Sequence, residues 1–185
     1  ETGSDGSGTS GLLYLGRYKI VEKKSPFGMT LNPDPQIVEL TYAGQEVEIT
    51  TVSSAFYNER QKVQIDLTKV LEQDERFGIG MNGEILSVQF GLYAAEPVAG
   101  SVIPKDGLLE IVSCDENGKA VFSTDIPAGA KLYAKEYSTD GHYQISGQIY
   151  PVEYEYAGQD VAVVHISVNG GEPISNEIIR GSVMG

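Results

Sequence analysis

The sequence predicts an all-β protein. From Leu12 onward, apolar and polar residues alternate in short segments with the period of two that a half-buried strand requires, and no segment sustains a helical period. Residues with turn chemistry separate the segments: Asn32-Pro-Asp-Pro35, Asn82-Gly83, Asn117-Gly118, Ala128-Gly129, Asp140-Gly141 and Asn169-Gly-Gly171. The composition agrees, with 22 glycines, 11 tyrosines and no tryptophan in 185 residues.

Residues 1–11 are glycine, serine, threonine and acidic residues that cannot build a core, and read as a flexible lead. Strands are then expected over 13–22, 36–43, 46–53 and 55–59, followed by 62–70, 85–94, 107–114 and 119–124. Four more are expected over 131–137, 149–156, 160–168 and 174–183, with room for a short helix around 70–76. Three of these strands place a polar residue in line with their apolar set. Lys69 continues the row Val63, Ile65, Leu67; Glu136 continues Leu132, Ala134; and Asn176 lies between Ile174 and Ile178. A charge on a core-facing register is costly unless it is paired, hydrogen-bonded or neutralised. The three residues therefore form a candidate constellation.

The chain also repeats itself. Tyr42-Ala-Gly-Gln-Glu-Val47 returns 114 positions later as Tyr156-Ala-Gly-Gln-Asp-Val161, and the same shift carries Glu22 onto Glu136. After four inserted residues, Tyr57-Asn58-Glu59 aligns with Ser175-Asn176-Glu177. Residues 12–59 are thus expected to copy the second half of a complete domain at 60–179, without the lysine-bearing strand, and 180–185 to begin a further copy. Glu22 and Asn58 occupy the positions of Glu136 and Asn176, with no lysine in that copy to join them. The expected cover for the open edge of 12–59 is the segment Ile178–Met184 of a neighbouring molecule, or another strand added in the same way.

At these residues the chain resembles the B-type (Cna B-type) repeat of Gram-positive collagen-binding adhesins, a prealbumin-like fold also found in pilin subunits. The resemblance rests on Lys69, Phe90-Gly-Leu-Tyr93, Asn117-Gly118 before Phe122, Pro127-Ala-Gly129, Glu136, Gly141-His-Tyr143 and Asn176. In the partial copy it rests on Gly16-Arg-Tyr18, Glu22 and Pro26-Phe-Gly28. Leu132 and Ala130 depart from the pattern, and no proline precedes Gly141. The resemblance implies an immunoglobulin-like or prealbumin-like β-sandwich, one complete domain preceded by a partial copy. It also implies a self-formed isopeptide bond between Lys69 and Asn176, with Glu136 as the proton relay. A buried lysine can act as a neutral amine, and a buried carboxyl can stay protonated, donate to the carboxamide oxygen and then pass a proton to the leaving ammonia.

The function so implied is a structural stalk module of a cell-wall-anchored surface adhesin or pilin, extracellular, whose partners are neighbouring repeats of the same polypeptide. The alternative is a module that binds a host extracellular protein or a glycan. The net charge of −13 argues against nucleic acid and anionic membrane surfaces, and no apolar run is long enough to span a bilayer. The lone Cys114 excludes an intrachain disulfide and a cysteine-based zinc site. His142 and His165 have no ligand partner at metal spacing, so no metal and no cofactor are expected, nor an enzyme beyond the self-reaction.

Overall fold

The computed structural model describes residues 1–185, which divide into two compact units. One comprises Glu1–Pro26 and Leu31–Glu59, the other Phe27–Thr30 and Arg60–Gly185. The protein is all-β apart from two short 3₁₀ turns, and no helix is long and apolar enough to cross a membrane.

The first unit holds one antiparallel pair, β1 (Gly16–Ile20) and β2 (Gln36–Leu40), with Arg17 opposite Glu39. Residues 1–11 are exposed and form neither helix nor strand. The strands expected over 46–53 and 55–59 are absent. A strand exists only as one side of a ladder, and this unit has no further strand for those residues to pair with.

The second unit is a sandwich of two four-stranded sheets. One sheet is built on the ten-residue β3 (Lys62–Leu71), which pairs antiparallel with β6 (Lys119–Phe122) and parallel with β9 (Val163–Ser167) and β10 (Ile174–Asn176). The other has the order β5 (Leu108–Ser113), β4 (Gln89–Ala94), β7 (Lys131–Ser138), β8 (Ile149–Glu153), all neighbours antiparallel. Their inner faces supply the core: Val63, Ile65 and Leu67 of β3 meet Phe90 and Leu92 of β4 and Leu132 and Ala134 of β7, all buried. Burying a large aliphatic or aromatic side chain is worth about 1.5–3 kcal/mol, so this interdigitated set is what holds the unit together.

Three expected elements come out differently here. No helix forms around 70–76: β3 runs to Leu71 and the chain then closes a tight loop by the Asp74–Ile79 bridge. The strand expected over 85–94 starts only at Gln89. Gly83, at φ 83°, leads instead into a 3₁₀ turn at Glu84–Ser87, and the Glu84 carboxylate accepts from the backbone N–H groups of Gly80 and Asn82. The strand expected over 174–183 stops at Asn176. Beyond it Ile178 bridges Tyr143, the Ile179 N–H donates to the His142 carbonyl, and Arg180 binds the Glu72 carboxylate. The first residues of Ile178–Met184 are therefore held by their own unit and are not a spare strand for a neighbour.

The internal repeat has a backbone counterpart. Arg17–Glu39 of the β1–β2 pair and Lys131–Glu153 of the β7–β8 pair are both opposite one another, and each member is displaced by the same 114 positions. Within the second unit, the Met29–Arg60 bridge recurs as Tyr143–Ile178, and the Gln61 N–H to Gly28 carbonyl bond recurs as Ile179 to His142.

Candidate functional site

The alternating pattern of β3 turns Val63, Ile65, Leu67 and Lys69 to the core, and that of β7 does the same for Leu132, Ala134 and Glu136. Short as it is, β10 points Ile174 and Asn176 inward on either side of the outward Ser175. Two backbone contacts set the register. Ile174 lies beside Lys69 in the parallel β3–β10 ladder, and Phe90 of β4 lies opposite Glu136 in the antiparallel one. The three polar residues thus arrive from two facing sheets at one place.

They meet in a buried site. Lys69 is 1% exposed, Glu136 3% and Asn176 3%. The Lys69 Nζ donates to Asn176 Oδ1 at 2.6 Å and lies 3.4 Å from Glu136 Oε1. Asn176 Nδ2 donates to the same Oε1 at 2.6 Å. One carboxylate oxygen therefore touches both the amine and the carboxamide nitrogen. The amide orientation differs from the one expected, in which Glu136 donates to the carboxamide oxygen. The carboxamide turns its oxygen to the Lys69 amine and its NH₂ to the Glu136 carboxyl group.

Several groups around the triad carry no strong sequence signal. The Ser146 backbone N–H donates to Glu136 Oε2 at 2.6 Å, and Thr139 Oγ1 lies 3.4 Å from Asn176 Nδ2. The Phe90 ring lies 5.7 Å from Lys69 Nζ, within cation–π range. Gly118, at φ 76°, accepts the Lys69 N–H at 2.7 Å, and a Cβ on it would stand 2.0 Å from the Lys69 carbonyl oxygen. The clue to Gly118 was its place in the Asn-Gly turn; the clue to Ser146 was only its position ten residues after Glu136.

Burial pushes the Lys69 amine below the ordinary lysine value of 10.5, against the opposing pull of the Glu136 charge. The effect favours the neutral, nucleophilic amine. Cys114, also buried nearby, has its thiol pushed up to about 11 chiefly by burial, so it stays protonated and unreactive.

In the first unit, Glu22 Oε2 accepts from Asn58 Nδ2 at 2.7 Å and from the Asn32 backbone N–H at 2.7 Å. Asn32 stands ten residues after Glu22, as Ser146 does after Glu136. The carboxylate–carboxamide pair and its backbone donor are thus present twice, and the lysine only once.

No family model and no curated protein matches the sequence. Among solved structures, the chain is similar to the Bacillus anthracis TIE protein, at 21% identity and a TM-score of 0.66, over 96% of this chain and 28% of that one. It therefore spans little more than a quarter of that protein's chain, and what the two share is the fold. The minor pilin GBS52 of Streptococcus agalactiae matches at 17% identity and a TM-score of 0.41, over 100% of this chain and 69% of that one. A C-terminal fragment of the pilus adhesin SpaC from Lactobacillus rhamnosus GG matches at 13% identity and 0.48, over 93% and 80%.

Proposed function

We propose that this chain is a stalk segment of an extracellular bacterial surface protein or pilin, in which residues 60–179 form a complete domain stapled by a Lys69–Asn176 amide. The observation that carries the reading is the buried triangle of amine, carboxamide and carboxylate. In the reaction, the neutral Lys69 Nζ attacks Asn176 Cγ, the Cγ–Nδ2 bond breaks, and ammonia leaves. Glu136 Oε1 takes the proton from Nζ and passes it to Nδ2, since it lies within reach of both. Folding supplies the proximity that makes an amide exchange between two unactivated groups feasible. The product ties β3 to β10 covalently, in a chain whose single cysteine permits no disulfide within it.

Residues 12–59 would be the second half of a preceding copy and 180–185 the opening of a following one. The shared register of β1–β2 and β7–β8 and the recurring bridges support this. Tandem copies suit a rod that projects a distal partner and resists force. Intact mass under denaturing conditions tests the reading. A mass short of the sequence sum by one ammonia, restored by Lys69→Ala or Glu136→Ala, is expected; a full mass in the unsubstituted protein overturns it.

One feature favours a second reading, a module that binds a host protein or glycan. Tyr93 lies over the bare backbone of Gly91 and stacks on Tyr133, with ring centroids 5.2 Å apart. Beside the pair, Tyr93, Lys135, Tyr137 and Ile145 line a shallow groove of about 390 Å³. Saturable binding of an extracellular-matrix protein or an oligosaccharide, lost on Tyr93→Ala, would establish this reading.

A further inference from the structure

Glu136 divides its two carboxyl oxygens between different tasks. Oε1 lies 3.4 Å from Lys69 Nζ and 2.6 Å from Asn176 Nδ2, the two nitrogens between which a proton has to move. Oε2 accepts the Ser146 backbone N–H at 2.6 Å. In the first unit the same two kinds of donor converge on one oxygen: Asn58 Nδ2 and the Asn32 N–H both reach Glu22 Oε2, each at 2.7 Å. The division is found at the carboxyl that faces a buried lysine. The segment that supplies the Ser146 N–H is itself tied to the asparagine's strand. The Gln144 N–H donates to the Glu177 carbonyl at 3.1 Å and the Ile179 N–H to the His142 carbonyl at 2.8 Å, while Tyr143 bridges Ile178. Residues 142–146 therefore hold the residues just after Asn176 at one end and the Glu136 carboxyl at the other. A carboxyl group turns easily about its last side-chain bond, so an anchor on one oxygen decides where the other points.

We propose that Ser146 is a positioning residue for amide formation, its backbone N–H fixing the plane of the Glu136 carboxyl so that one oxygen spans the attacking and the leaving nitrogen. This rests on the reading that Lys69 and Asn176 join. The bond changes are those already given. The Nζ–Cγ bond forms and Cγ–Nδ2 breaks; the proton that leaves Nζ travels to Nδ2 on the oxygen opposite Ser146, and ammonia departs. The Ser146 N–H neither gains nor loses a proton. Besides Lys69, the titratable groups around the carboxyl are Cys114 and Tyr150, both kept protonated chiefly by burial, so neither changes the charge beside it near neutral pH.

The test compares three full chains made by cell-free synthesis: the unsubstituted protein, Ser146→Ala, and a chain with lactic acid at position 146. The last two differ only in an ester oxygen that replaces the N–H. Ser146→Ala gives up the hydroxyl that accepts the Gln148 N–H at 3.2 Å but keeps its own N–H. Ammonia loss is followed by intact mass at a series of pH values. Ser146→Ala should react at close to the unsubstituted rate, and the ester chain about tenfold more slowly, the loss expected for a hydrogen bond to a charged acceptor. A carboxylate that loses a donor favours its protonated form, which cannot take the amine proton, so the deficit should be largest at low pH and shrink as pH rises. In the Lys69→Ala chain, which cannot react, the Ser146 amide proton should move with the Glu136 carboxyl carbon in an NMR titration. Equal rates for the ester and alanine chains, or a deficit that is the same at every pH, overturn the positioning role while the staple stands. So does a Ser146 amide proton indifferent to the carboxyl, a result that decides the matter even if the ester chain fails to fold. No ammonia loss from the unsubstituted chain overturns the staple and the positioning role together.

Discussion

Glu22 and Glu136 are held by the same kinds of donor, a backbone N–H ten residues further on and an asparagine carboxamide, yet their surroundings are opposite. Glu136 is 3% exposed beneath a second sheet; Glu22 is half-buried beside a two-stranded ribbon. Local sequence is enough to bring a carboxylate to its carboxamide. What it cannot do alone is remove water from the pair or bring a lysine to it. Those two things come together on one element, because β3 carries the lysine and is also part of the lid. Chemistry and burial are therefore coupled by topology. A site of this kind can react only when the sandwich has closed over it.

Removing the lysine breaks the contrast most severely. Lys69→Ala would delete the proposed link between residues 107 positions apart, and closing a loop of that size is worth about 5 kcal/mol by the chain-entropy argument used for disulfides. The denaturant midpoint of the second unit should fall accordingly, while amide exchange in residues 12–26 and 31–59 stays as it was. An unchanged midpoint would mean the two units differ in burial but not in covalent structure.

Gly118→Ala tests whether placement of the amine matters apart from its presence. The substitution puts a side chain at φ 76° and a methyl carbon against the Lys69 carbonyl, so β3 must move. A cost of about 3 kcal/mol is expected from the left-handed backbone and the displaced strand together. Equilibrium denaturation should show it, and mass spectrometry should show slower loss of ammonia. Ammonia loss at the original rate would show that the site tolerates a shifted lysine.

The pH dependence of the proposed bond's formation sharpens the electrostatic half of the comparison. The reactive species is the neutral amine, whose fraction grows as pH rises through the folded-state value, and burial sets that value below 10.5. The rate of ammonia loss after synthesis in a cell-free system at set pH should therefore rise with pH and level off below 10.5. A rate still climbing above that point would indicate an amine left in water.

The smallest effect is expected in the first unit. Glu22→Ala removes the acceptor of two hydrogen bonds at a half-buried position, a loss of about 1–2 kcal/mol. Faster amide exchange at Asn32 should report it, with the ammonia deficit of the chain and the midpoint of the second unit unchanged. A shift in that midpoint would show that the two units unfold as one.

Much of this was legible in the residues because strand periodicity is a local property. The rows ending in Lys69, Glu136 and Asn176 could be read from alternation alone, and so could the Asn117-Gly118 turn that supports Lys69 from behind. The repeat was legible because a shift of 114 preserves residue identities and, as the register of the two hairpins reveals, also preserves strand pairing. The segments over 46–53 and 55–59 misled because alternation describes a face and says nothing about a neighbour; with no ladder partner in their unit they form no strand.

By itself, then, the sequence determined the fold class, the face each residue takes on its strand, and the identity of the polar residues directed at the core. Tertiary structure alone decided which strands lie side by side, that Ser146 and Asn32 offer their N–H groups to the two glutamates, and which way the Asn176 carboxamide turns. It also decided that one of two similar carboxylates is sealed in and the other left open. The physical reason is range: alternation and turns are set by neighbours in the chain, whereas pairing, desolvation and hydrogen-bond complementarity depend on groups brought together only when the sheets close.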